Sequence, residues 1–121
     1  MHPDEIFQIS PSIRYVATYV NGRLRTKQRS NLLNASTPES DRYEEILVNP
    51  TLLTLATQRG ELDCGGLEYL IVRYGNFAQF IRSLPHGHLS VGIDIGADIF
   101  DIAHKLQAFQ VDDGTKCRDF V

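Results

Sequence analysis

The sequence has no tryptophan, one methionine and only two cysteines. Cys64 and Cys117 stand far apart and form no Cys-x-x-Cys pair, which fits a reducing compartment better than a disulfide framework, and both thiols are expected to be free. No apolar run reaches the roughly 20 residues that span a bilayer, and residues 1–10 carry neither a basic end nor an apolar signal core. The expectation is a water-soluble, cytoplasmic protein with no membrane partner. Catalytic signatures are missing too. There is no phosphate loop and no His-Glu-x-x-His, and Gly92 and Gly96 do not make a dinucleotide fingerprint. No cofactor and no enzymatic activity are therefore expected. An excess of positive charge is also lacking: a net charge of −3 exerts no global pull on nucleic acid, so any basic site has to be local.

What remains is an ordinary globular composition, 42% hydrophobic and 22% charged over 121 residues, which suits one domain with one core over residues 1–121. The clearest local signal runs from Ile13 to Val20, through Asn21-Gly22, to Arg23–Arg29. β-branched and aromatic residues flank an Asn-Gly pair that enters positive φ readily, which predicts a hairpin with a two-residue type I′ turn. Closing that turn pairs Val20 with Arg23 and Tyr19 with Leu24. Side-chain alternation then predicts a buried face of Ile13, Tyr15, Ala17, Tyr19 and Leu24, and a wet face of Arg14, Arg23, Arg25, Lys27 and Arg29.

Upstream, residues 3–9 suit a short amphipathic helix ended by Pro11. Asn31 to Ser40 reads as a connecting loop. From Asp41, at capping-box spacing from Glu44, Tyr43, Ile46, Leu47, Leu52, Leu53, Leu55 and Ala56 recur at helical intervals. Pro50 either kinks this helix or starts a second one with Asn49 as its cap, and Gly60 is the expected stop. Leu67 to Tyr74 is apolar on both sides, as in a strand in the middle of a sheet. Turns at Gly75-Asn76 and Pro85-His86-Gly87 then lead through Phe77–Leu84 and His88–Ile95. Asp98 caps a last helix that buries Ile99, Ile102, Ala103, Leu106 and Phe109, and a loose tail is expected from about residue 111. The predicted class is α+β: a five-stranded antiparallel sheet in the order hairpin, helix, three-stranded meander, helix.

This order of elements resembles the roadblock and longin group of domains. The likeness is carried by Ile13 to Arg29 and by Leu52 to Leu106, including Leu67 to Asn76 and Gly87 to Val91. Profilin-like and PAS-like sensors share much of the topology. The resemblance implies dimerisation through the long helix and a neighbouring strand, and a role as scaffold or as regulator of a small GTPase: a homodimeric adaptor. Pro50 departs from the unbroken helix such a dimer would use.

The basic hairpin face is the sharpest chemical feature. Arg14, Arg23, Arg25, Lys27 and Arg29 suit an acidic protein partner, or nucleic-acid phosphate, although no aromatic residue interleaves them for base stacking. Protection of an edge strand against unwanted pairing accounts for the same residues. His86 and His88 have the strand spacing of two metal ligands, with Cys64, Asp63 or Asp94 as third candidates, and a histidine in a turn is the commoner explanation. Cys64 beside Asp63 has no partner in sequence that would make it a nucleophile. Tyr43, Tyr69, Tyr74, Phe77 and Phe80 either line a ligand pocket, as in sensor domains, or fill a core or dimer contact, the reading favoured here.

Overall fold

The computed structural model describes residues 3–109; the tail expected from about residue 111 lies outside them. Within them the chain is an α+β sandwich. Helix α1 (Pro3–Phe7) is followed by β1 (Ile13–Val20), β2 (Arg23–Gln28), α2 (Pro38–Tyr43), a π turn (Glu44–Val48) and α3 (Asn49–Asp63). The strands β3 (Leu70–Arg73), β4 (Phe77–Leu84) and β5 (Gly87–Asp94) then lead into α4 (Ile99–Ala108). All five strands belong to one antiparallel sheet in the order β2-β1-β5-β4-β3.

The hairpin forms in the predicted register, Val20 opposite Arg23 and Tyr19 opposite Leu24, and Asn21 and Gly22 take φ of 53° and 76°. Its division into a buried and a wet face does not survive. The register between β1 and β5 shifts between Ile13 and Tyr15, a bulge that turns Ile13 onto the same side as Val16. Both sides of the sheet are covered. On one, Ile13, Val16, Phe80, Leu89, Val91 and Ile93 pack with Ile6 of α1 and with Ile102, Ala103 and Leu106 of α4. At about 1.5–3 kcal/mol per large apolar side chain removed from water, this side carries most of the fold's stability. On the other side lie α2, the π turn and α3, and there the apolar content is thin: Ala17, Ile81 and Leu53 are buried outside the main cluster.

The helical layer corrects several expectations. Pro38 begins α2 rather than sitting in a loop, because Thr37 accepts the Ser40 N–H at 3.2 Å as its cap, and Asp41 lies inside the helix. The irregularity foreseen at Pro50 is the π turn just before it. Asn49 is helical and buried and caps nothing with its side chain. Pro50 sits in the first turn of α3, where its missing N–H costs little. Gly60 is not the stop. The helix runs on to Asp63 and closes where the Gly66 N–H donates to the Gly60 carbonyl at 3.0 Å. β3 is a four-residue edge strand, not a central one, since only β4 pairs with it. In α4 the expected cap holds, with the Asp101 N–H bonded to Asp98 at 3.1 Å.

Gly60 sets two forces against each other. A Cβ there would stand 2.9 Å from the Leu67 backbone nitrogen and 3.1 Å from the Gly66 carbonyl carbon. Alanine in a helix interior is normally worth about 1 kcal/mol over glycine, but here the obstruction is backbone that cannot step aside. Gly60→Ala is expected to lower stability by about 1–3 kcal/mol in urea denaturation; a gain would show that the connection into β3 yields.

Candidate functional site

The π turn brings two consecutive carboxylates to the sheet. In it the Asn49 N–H reaches back five residues to the Glu44 carbonyl, and the extra residue in the turn lets Glu44 and Glu45 both lie on the inner side. Glu45 is fully buried. Its Oε1 lies 2.8 Å from His88 Nε2 and accepts Asn49 Nδ2 at 2.9 Å, and its Oε2 accepts the Tyr15 hydroxyl at 3.2 Å. Asn49 Nδ2 also lies 3.4 Å from Ser90 Oγ, which takes a bond from Gln79 Nε2. The polar side of the sheet is thus wired to the first turn of α3 through one carboxylate.

Beside this knot opens a cleft of about 480 Å³. Tyr15 and Gln79 form its floor, Tyr74 and Phe77 one wall and Asp41, Tyr43 and Glu44 the other, while Leu32 and Ser36 of the loop before α2 reach its rim. The Tyr74 and Phe77 rings lie 5.3 Å apart, and the Tyr74 hydroxyl donates to Glu44 Oε2 at 3.0 Å. Burial pushes the Tyr74 phenol up to about 12, helped by its bond to Glu44. Burial, followed by the charge of Glu45, raises the Tyr15 phenol well above its ordinary value. Glu44 is raised as well, burial outweighing the lowering effect of the Tyr74 hydroxyl.

The five predicted cations do not form one strip. Arg14, expected in water, is only 7% exposed because the bulge folds it over the sheet into the cleft. Its guanidinium donates to the carbonyls of Leu33 (3.0 Å), Asn34 (3.4 Å) and Asn76 (3.4 Å), sits 3.5 Å from Asp94, and lies 5.3 Å from the centre of the Phe77 ring. Arg29 binds Asp94 and the Pro11 carbonyl, and Lys27 pairs with Asp4. Arg23 and Arg25 stay exposed on β2 without an ion pair among the described residues.

His86 and His88 part company. His86 is exposed in the turn at φ 64°, while His88 is buried against Glu45. Among the described residues no three His, Cys, Asp or Glu side chains come together as a metal site, and Cys64 is exposed at the end of α3 near Asp63. Of the aromatic set, Phe80 is core with Tyr69 against it, Tyr74 and Phe77 line the cleft, and Tyr43 is 61% exposed. Sequence reasoning passed over Glu45, Gln79 and Ser90 and read Glu44 and Asn49 only as helix-capping residues. A signal existed in the four-residue spacing of Glu45, Asn49 and Leu53, two polar residues in line with a buried leucine.

No protein-family model and no curated protein matches the sequence. Eight chains of solved structures match the fold. One is the crystal structure of a roadblock/LC7 domain from Streptomyces avermitilis, with a TM-score of 0.63 at 15% identity, covering 84% of this chain and 82% of that one. The fold is therefore that of roadblock/LC7 domains.

The two neighbouring glutamates should answer oppositely to substitution. Glu45→Ala strands His88 and Asn49 in a buried site and is expected to cost about 3–5 kcal/mol in chemical denaturation. Glu44 has a folded pKa above its unfolded value, so the stability it contributes is complete below the unfolded pKa and lost at higher pH. Its ionised form thus burdens the neutral-pH fold, and Glu44→Gln should raise the melting temperature. The same sign holds for Tyr74: stability is complete below pH 10.0 and falls as pH climbs toward about 12, a fall that Tyr74→Phe should make shallower in an alkaline titration.

Proposed function

We propose that this chain is a non-enzymatic protein-interaction module, one roadblock-like domain over residues 1–121, that acts in the cytoplasm as a homodimeric adaptor for a small GTPase or another signalling partner. One observation carries the reading. The outward side of the helical layer exposes Leu47 (51%), Leu55 (62%) and Leu62 (78%). These residues recur along the π turn and α3 on the side that faces away from the sheet. A row of exposed large apolar side chains on one helix layer marks an interaction surface. A two-fold interface is made by one such patch meeting itself. Among the described residues β3 pairs only with β4, so its other edge offers unpaired backbone groups. The likeness to a roadblock/LC7 domain supports the fold on which this reading rests. For an acidic partner, Arg23 and Arg25 on the opposite edge strand are the hairpin cations without an ion pair among the described residues, with Lys27 and Arg29 adjoining them. Nucleic acid is the weaker choice, because phosphate binding draws on several free cations and three of the five are already engaged.

A second reading, a small-molecule sensor, is favoured by the cleft beside Glu44. The two readings use different surfaces and are compatible.

Light scattering at micromolar concentration is expected to give twice the monomer mass. Leu55→Asp should halve that mass and leave the far-ultraviolet circular dichroism unchanged, since the residue contributes little to the monomer's own core. A wild-type protein that is strictly monomeric contradicts the proposal.

A further inference from the structure

We propose that the cleft between the π turn and the β1–β4 side of the sheet binds a small organic cation, a primary ammonium or guanidinium on a short aliphatic chain. The inference rests on the sensor reading and names its ligand class.

The cleft has the volume of a small-molecule site, about 480 Å³, within the usual range of roughly 300–1,000 Å³. Three carboxylates line it, Asp41, Glu44 and Glu45, against one cation, Arg14. That cation is spent: three carbonyls, Asp94 and the Phe77 ring already hold its guanidinium, and Asp94 is not part of the lining. The cleft is therefore negative where a ligand would sit. Glu45 turns both oxygens to the buried knot, so it contributes field rather than contact. Glu44 gives Oε2 to Tyr74 and has no bond on Oε1 among the described residues, which makes Oε1 the anchor. The walls complete the match. Tyr43, Tyr74 and Phe77 present aromatic rings, whose faces attract a cation placed within about 6 Å. Arg14 already covers the Phe77 ring at 5.3 Å from its centroid, which leaves Tyr43 and Tyr74 as the rings that meet the ligand cation. Half-buried Glu44 is short of water, and a ligand cation supplies the counter-charge that solvent does not.

Agmatine, which carries both an ammonium and a guanidinium end, is the probe. Glutarate and 1,5-pentanediol are its anionic and neutral counterparts. Isothermal titration calorimetry at low ionic strength should show agmatine binding with millimolar or tighter affinity, and the Tyr74 and Phe77 ring resonances should shift in parallel. Glu44→Gln, which keeps the side-chain shape and an acceptor for Tyr74, should weaken binding about tenfold or more. Tyr43→Ala, at an exposed position, should weaken it several-fold. Unchanged affinity in Glu44→Gln overturns the proposal. Binding of glutarate or pentanediol as tight as that of agmatine overturns the ligand class and leaves the sensor reading standing. Failure of all three probes overturns the proposed ligand class.

Discussion

One buried carboxylate governs how this molecule is put together. Glu45 joins His88 and Tyr15 of the sheet to Asn49 of α3 and has no contact with solvent. The two sides of the sheet are held by different physics. Beneath α1 and α4 the contact is apolar and each buried side chain adds a favourable increment. Beneath the π turn and α3 it is polar. Moving an ion out of water costs several kcal/mol, against about 1.5–3 kcal/mol regained per charge-assisted bond, so the knot returns little net stability. Its contribution is position: a carboxylate with three donors fixes the helical layer in one place over the strands, which a few small apolar contacts such as Ala17 and Ile81 would leave free to slide.

The proposed interaction surface and the cleft follow from that economy. Because α3 docks through Asn49, Leu53 and Gly60 and needs few leucines inside, Leu55 and Leu62 face outward, available to a second chain. The π turn that admits Glu45 to the interior also delivers Glu44 to the cleft, where its charge is poorly solvated. The same local irregularity thus sets an acidic side chain at the cleft beside Tyr74 and Phe77. Arg14 closes the arrangement from the far side, tying the loop at Leu33 and Asn34 to the turn at Asn76.

Much of this architecture was legible in the residues. The Asn21-Gly22 corner, the Gly75-Asn76 and Pro85-His86 turns and the Asp98 cap act over a few neighbouring atoms, so their pattern identifies them, and with them the five-stranded order and the roadblock likeness. The failures have a common cause in tertiary context. Alternation along β1 assigns Arg14 to water, and only pairing with β5 reveals the bulge that buries it. Apolar residues on both sides suggested an inner strand at β3, yet its exposed neighbours belong to an edge. Gly60 has the composition of a stop, but its real constraint is the return of the chain at Leu67. The candidate site was the least legible part, because a carboxylate inside a helix reads as solvated until the sheet opposite presents a histidine.

The account stands on Glu45 and His88 acting as a unit, and a double-mutant cycle measures that directly. Unfolding free energies of the wild type, Glu45→Gln, His88→Gln and the double variant should give a coupling of about 1–3 kcal/mol. Losses that add to within about 0.5 kcal/mol would mean the two side chains are merely neighbours, and that something else holds the helices to the sheet.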